Sequence, residues 1–561
     1  MRGAADGRGP FADPSLDAII GAEVCSSGDY PAKLVDLDPD NQQVSQIWGL
    51  EIEVRIPDPK DASQTLASVT GVMPPTAFGD LWSRATNAPR PGMPTMSAAF
   101  QAVLINVKWA NPGASPLLAA LQQVSPTSLS IRFVVDSYQP SAKQSNFTYG
   151  RVVGTIGPAL SGDAPRSTPR RLAPVYSTPA GNGAYLSILS TYGPAGALWD
   201  AGRKRLVLDL GNCVPTVWSL PGAGPSVPVA GWPAVTCSLQ LSCGTEVIGW
   251  LSPLEMKSGA GPLSTGASAA LHGHIAFDTA TYLTYAGIVE TAVPDSQISL
   301  VLRSPLTLTN VDAGQIAVQE DPAGRYVDVD QPFLRLNPGD SADVTLRATK
   351  LGQPWAGVTL PVDLQPVAPA ANGGPWNNND PPAALMLSAA AVVTGADGTA
   401  TLKLTAGDPG TPRLYRDGQA GPDGQIYAVT SLRPIPGQPP QLAPVLWPSV
   451  GQVFLFPGAP INVLVFSRFA MPAQPNWDDH VGPILSLYAR LYPYMKGIID
   501  LADYATVTQN AEDIQAVLNL PVESPHYMPI VRDLSADKLA MINRWFENGM
   551  PKSRAASHVI T

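Results

Sequence analysis

The chain has 561 residues, 45% of them hydrophobic and only 14% charged, so it is too apolar to be disordered and too long for a single core. A net charge of −10 repels a phosphate backbone and argues against a nucleic-acid partner. The 59 prolines and 50 glycines are spread between short apolar runs, which is the punctuation of turn-rich β structure and predicts a mainly β, multi-domain protein.

The start, MRGAADGRGPFADPS, has no apolar h-region of a secretory signal. No stretch reaches the ~18 apolar residues that a membrane-spanning helix needs. The expectation is a cytoplasmic protein with no membrane contact. Residues 1–310 read as one or more β-rich domains of sandwich or barrel type. QIWGLEIEVRI (46–56) alternates like a single half-buried strand, and FQAVLINVKW (100–109), SLSIRFVVDSY (128–138), GRVVGTIG (150–157) and KRLVLDLGN (204–212) follow it. PLLAALQQV (116–124) has the spacing of a short helix. Residues 311–465 carry alternating strands broken by Asp-Gly and Pro-Gly turns, among them 327–349, 355–367 and 393–406. That pattern predicts an immunoglobulin-like β-sandwich. Residues 466–561 change class and predict a short α-helical region. In it, Ile484, Leu487, Leu491 and Met495 form a helical stripe broken at Pro493. Ser535 and Gly549 bracket a second helix whose apolar face is Leu539, Ile542, Trp545 and Phe546.

Several clusters have a plain structural reading. The basic run Arg166 to Arg171 is broken by proline and reads as a solvated loop. Four cysteines are too few for a disulfide framework in a chain of this size, and buried free thiols are expected. Asp36, Asp38 and Asp40 begin like a calcium loop, but Asn41 and Ile47 stand where that loop needs glycine and glutamate, so a turn between strands is expected.

Five segments carry a family likeness: IRFVVDSYQPSAKQSNFTYGRVVGTIG (131–157), RRLAP (170–174), KRLVLDLGNCVPT (204–216), LYARLYPYMKGIIDLADY (487–504) and HYMPIVRDLSADKLAMINRWF (526–546). In order and spacing they resemble the amino-terminal, non-ferritin half of the violacein-pathway imine dimer synthases and chromopyrrolate synthases. The tail motif Tyr527-Met528-Pro529 followed by Arg532-Asp533-Leu534-Ser535 is the most specific part. In those synthases a ferritin-like helical domain follows, whereas this sequence has no run of long helices to build its iron site. The resemblance therefore implies a partner or scaffold subunit that works with a separate ferritin-like or oxidase protein in amino-acid-derived secondary metabolism.

The sequence also offers candidates for chemistry of its own. His272, His274 and Asp278 suit a non-haem iron centre by residue type. Asp278 would stand ~13 Å from His274 along a straight strand, so the chain must turn for the three to meet. His480 and His526 lie in the segments most like the family and are the candidates for reaching a haem or iron cofactor. Leu487, Leu491, Trp545 and Phe546 are the expected partner contact. Two further readings follow: an autonomous metal- or haem-dependent oxidoreductase, and an assembly protein forming homo-oligomers. The sequence holds no nucleophile elbow, dinucleotide fingerprint or HExxH motif.

Overall fold

Alternating apolar residues one strand long bury one face of a sheet, and the described chain builds four sheets in this way, around one core for each nine-stranded sheet and one core shared by the two smaller sheets. The computed structural model describes residues 15–26, 32–38, 41–83, 96–136, 151–159, 169–174, 192–214, 239–252, 274–276, 287–311, 314–366, 383–410, 423–431 and 461–553. Over these residues the protein is mainly β, with two nine-stranded sheets, an immunoglobulin-like pair of sheets and a helical carboxy-terminal region.

The first sheet is ordered Glu23–Cys25, Glu51–Asp58, Asp61–Val72, Met96–Ala110, Thr76–Ser83, Asn41–Trp48, Lys33–Asp38. Met96–Ala110 is its spine. The first half of that strand pairs with Thr76–Ser83 and Leu129–Asp136, and the second half with Asp61–Val72. Val54, Ile56, Val69, Phe100, Leu104, Ile131 and Phe133 point into one core, and Phe100 stacks on Phe133 at 5.2 Å. Helix α1 (Pro116–Val124) closes this core with Leu118, and its cap Ser115 accepts a hydrogen bond from the Leu118 amide at 3.2 Å. The single strand expected over 46–56 is two strands. Gly49, at φ +69°, breaks it, so Asn41–Trp48 pairs with Lys33–Asp38 while Glu51–Asp58 pairs with Asp61–Val72. Any side chain at Gly49 would stand 2.8 Å from Pro525 Cβ, so the break also admits the tail.

The second sheet is ordered His274–Ala276, Glu246–Ser252, Leu239–Cys243, Leu306–Asn310, Gln315–Gln319, Arg170–Pro174, Ala195–Asp200, Arg205–Asp209, Ile288–Ala292. Its last strands by sequence reach Gln319, past the expected boundary at 310. Helix α2 (Asp295–Arg303) packs on it through the fully buried Val301. The basic run ends here in an ion pair rather than in solvent. Arg170 is buried, with Nε 2.8 Å from Glu320 Oε1, Nη1 2.7 Å from the Val301 carbonyl and Nη2 2.8 Å from the Ser304 carbonyl. Cys213 and Cys243 are buried free thiols, and burial pushes the Cys243 thiol up to about 11.

The immunoglobulin-like unit places Arg325–Val329, Ser341–Lys350, Thr399–Ala406 and Leu385–Leu387 in one sheet. The other holds Phe333–Leu336, Ile461–Val465, Gln425–Ser431, Thr359–Pro366 and Ala391–Val393. Val344, Leu346, Leu402, Leu404, Val429 and Val463 fill the space between them. Phe333–Leu336 joins Ile461–Val465 in parallel, the one parallel pairing of this unit among the described residues. Ile461–Val465 is buried on both faces, because Leu464, with Ile426 and Phe466, packs outward against Leu37 of the first sheet. Asp328 is buried in its strand, and Asp330 takes Arg347 at 2.6 and 2.8 Å.

The helical region comprises a wide turn Trp477–Val481, α3 (Gly482–Leu491), α4 (Tyr504–Gln509), α5 (Ala511–Leu518) and α6 (Ala536–Glu547). As expected at Pro493, α3 stops, and a tight turn Pro493–Gly497 follows. The core holds Trp477, Leu485, Tyr488, Met541, Ile542, Trp545 and Phe546, with the Trp477 and Trp545 rings 5.9 Å apart. Ser535 caps α6 through its side chain.

Candidate functional site

Three units converge at Trp48. This residue ends the strand Asn41–Trp48, and two guanidinium groups face its indole: Arg335 from Phe333–Leu336 at 5.5 Å and Arg532 from the segment between α5 and α6 at 4.7 Å. Two cations over one aromatic system need other anchors to stay close, and both have them. Arg335 donates to Gln46 Oε1 at 2.8 Å and to the Asp36 carbonyl at 3.2 Å, which ties the immunoglobulin-like unit to the first sheet. Arg532, at φ +52°, spreads its fork over the carbonyls of Val522 at 3.2 Å, Ser524 at 2.9 Å and Ile530. Lys33 Nζ donates to the Pro525 carbonyl at 2.8 Å, fastening the same segment to the first sheet. Burial, and then the Arg532 charge, lower the pKa of that lysine.

Beside the clamp lies a phenol–carboxyl cluster. Tyr488 Oη in α3 donates to Asp533 Oδ1 at 3.0 Å. Desolvation raises the Asp533 carboxyl to about 6, against the opposing pull of the Tyr488 hydrogen bond. Desolvation, with the Asp533 charge second, also raises Tyr488, Tyr492 and Tyr527. On the far side, Lys538 Nζ meets Asp423 Oδ2 at 2.9 Å, the Ala536 amide donates to Asn337 Oδ1 at 2.9 Å and the Phe469 amide to Asp537 Oδ2 at 3.1 Å. The first two of these bonds join the start of α6 to the immunoglobulin-like unit, and the third ties it to the connecting segment at Phe469. Chemically, the surrounding bonds tie side chain to backbone and side chain across unit boundaries, while the Tyr488–Asp533 bond lies within the helical region.

The histidines fall elsewhere. His272 and Asp278 lie outside the described residues. His274 opens the strand His274–Ala276, beside Trp250 in a parallel pairing. His480 sits half-buried in the turn Trp477–Val481, where its Nδ1 accepts from the Asn476 amide at 3.2 Å. The cap of that turn is Asn476, whose side chain accepts from the Asp479 amide at 2.8 Å. His526 is exposed, and its amide donates to Ser524 Oγ at 3.3 Å. Glu523 and His526 are the one Glu-x-x-His spacing in the sequence, and they fall in a turn rather than on a helix. Among the described residues no group of three or more His, Cys, Asp or Glu is placed to hold a metal ion.

The expected partner contact divides. Trp545 is fully buried and Phe546 is 9% exposed, so both belong to the helical core and present no surface. Leu487 is half-buried, while Leu491 is 39% exposed and continues into Tyr494 at 84% and Ile498 at 64%. Among the described residues no helix is long and apolar enough to cross a membrane.

No family model matches the chain. No curated protein matches it either. Among solved structures, the D00–D0 domain of intimin is similar at 12% identity and a TM-score of 0.13, over 29% of this chain and 64% of that one. Domains 1–6 of the surface-layer protein SbsC are similar at 9% identity and a TM-score of 0.12, over 73% of this chain and 53% of that one. The S-layer protein rSbsC(31–844) is similar at 10% identity and a TM-score of 0.12, over 80% of this chain and 55% of that one. The chain thus spans less than two thirds of the length of each. Similarity at that level carries no argument, and the class of the fold, a mainly β assembly with an immunoglobulin-like unit, rests on the strand pairing above.

Proposed function

We propose that the chain is a β-rich scaffold or partner subunit that acts with a separate ferritin-like or oxidase protein in amino-acid-derived secondary metabolism. The observation that carries the reading is the run Leu491, Tyr494 and Ile498, apolar side chains left on the surface at the end of α3. It lies within LYARLYPYMKGIIDLADY, one of the segments that resemble the imine dimer synthases. Arg335, Lys33 and Lys538 near Trp48 are engaged in bonds between units, which suits a rigid platform better than a reaction centre.

The test is a pull-down from the native host with the tagged full chain and with a Leu491→Ser, Tyr494→Ser double variant. The reading predicts that the wild type retains a helical iron or haem protein and that the variant loses it. Retention by both, or recovery of no such protein by the wild type, overturns it.

A further inference from the structure

Residues 550–553 close the helical region as a strap. Asn548 caps α6, and Gly549, at φ +75°, reverses the chain so that it runs back over the turn Trp477–Val481. The Met550 carbonyl accepts from Tyr504 Oη at 2.8 Å, the Pro551 carbonyl from the Trp477 amide at 2.9 Å and from Trp545 Nε1 at 3.0 Å. The Lys552 carbonyl accepts from the Asp478 amide at 3.0 Å, and Ser553 Oγ donates to Asp478 Oδ2 at 2.5 Å. The hinge of the strap is the one Asn-Gly pair among the described residues. We propose that Asn548 is a modification site, where slow loss of its side-chain amide yields aspartate or isoaspartate and releases the strap.

The reaction needs only water and solvent base. The Gly549 backbone nitrogen gives up its proton and attacks Asn548 Cγ; a C–N bond forms, the Cγ–Nδ2 bond breaks, and the side-chain nitrogen leaves as ammonia. Water then opens the cyclic imide. Opening at the side-chain carbonyl leaves aspartate, and opening at the main-chain carbonyl leaves isoaspartate, whose main chain is one carbon longer. Water is consumed, ammonia is released, and nothing is oxidised or reduced. Asn548 and Gly549 are both exposed, and no atom stands near the place a Gly549 side chain would take, so base and water reach the pair.

The seated strap keeps the pair slow. With Asn548 at ψ 10°, the Gly549 amide is held on the Phe546 carbonyl at 3.0 Å, and the Met550 amide on the Trp545 carbonyl at 2.9 Å. A nitrogen held in that bond is not free to approach Cγ, so the reaction waits for the last turn of α6 to fray, and the strap bonds set how often it does. The product does not return to the same seat. A carboxylate at position 548 lies at the carbonyl end of α6, where the helix dipole disfavours an anion. The added carbon of isoaspartate falls between those two acceptors and their donors, so both bonds lose register and the strap beyond them loses its hold on Trp477 and Asp478.

The experiment is ageing of the purified full chain at mildly alkaline pH, with peptide mass spectrometry reading conversion at Asn548. Wild type is followed folded and in urea, beside folded Tyr504→Phe, which removes one strap bond and leaves the Asn-Gly pair intact. The proposal predicts conversion in the folded wild type, slower than in urea, and a rate about fivefold higher in Tyr504→Phe, the factor that one hydrogen bond supplies. Converted wild type, separated by its extra negative charge, should exchange the Trp477 and Asp478 amides about tenfold faster than unconverted protein. An unconverted folded chain at the time the urea sample is fully converted overturns the proposal. So do equal rates folded and in urea, an unchanged rate in Tyr504→Phe, or unchanged exchange in the converted protein. The exchange comparison uses wild type alone and decides the matter should Tyr504→Phe not fold.

Discussion

Arg532 and Arg170 show how differently two buried arginines are used. Arg532 has carbonyls rather than a carboxylate around its fork, and it is held over Trp48 in a left-handed backbone conformation. Replacing it by alanine takes a buried guanidinium away from three carbonyls of a half-exposed loop and from Trp48, and stability should fall by about 1–3 kcal/mol in urea unfolding. Arg170 instead has a carboxylate partner, Glu320, 3% exposed at its side chain. Glu320→Ala strands a buried cation and should lower stability by about 3–5 kcal/mol, whereas Arg170→Met combined with Glu320→Leu should recover most of that loss. A double variant as unstable as the single one would show that the pair contributes more than its own desolvation. The sequence announced part of this. The tail motif Tyr527 to Ser535 is the most specific segment of the sequence, and it carries the Arg532 clamp and the half-buried Asp533 carboxyl. Trp48 and Arg335 gave no signal, because their meaning lies in a contact between residues hundreds of positions apart. The charge run at Arg166–Arg171 misled for the same reason: the partner that buries Arg170 is Glu320.

At the scale of elements, periodicity predicted type better than boundary. The helices over 116–124 and 536–547, the stop at Pro493 and the alternating strands of the sandwich follow local rules that a sequence displays openly. The division of 46–56 did not follow, since glycine at position 49 matters only once Pro525 is seen to approach it. An apolar helical face also does not say what covers it. Trp545 and Phe546 were expected at a partner surface and instead pack against Trp477 and α3. Trp545→Ala should therefore lower stability by about 3–5 kcal/mol and abolish the cooperative melting of the helical region, read by far-ultraviolet circular dichroism. Tyr494→Ser lies at an 84% exposed position, and its effect on stability should stay within about 0.5 kcal/mol. If Tyr494→Ser destabilised as much as Trp545→Ala, the assignment of core and surface in this region would be wrong.

The first sheet, the immunoglobulin-like unit and the helical region meet at one junction around Trp48, while the second sheet joins its neighbours elsewhere, through Arg132 and Asp209 and through Thr349 and the Pro169 carbonyl, and an apolar turn is left outside. Its class was legible from composition and turn chemistry, since proline and glycine placed between short alternating runs leave few alternatives to stacked sheets. Its chemistry was not, because five histidines scattered over the sequence define no centre until their surroundings are known, and those of His480 are backbone. The central claim, that this chain supports the chemistry of another protein, is tested most directly by isolating it from its native host, resolving it by size, and recording absorbance and metal content across the profile. The account predicts a chain free of iron and haem, eluting with a larger complex whose other member carries the cofactor. Stoichiometric iron or haem on the chain eluting alone at the mass of one copy would contradict it.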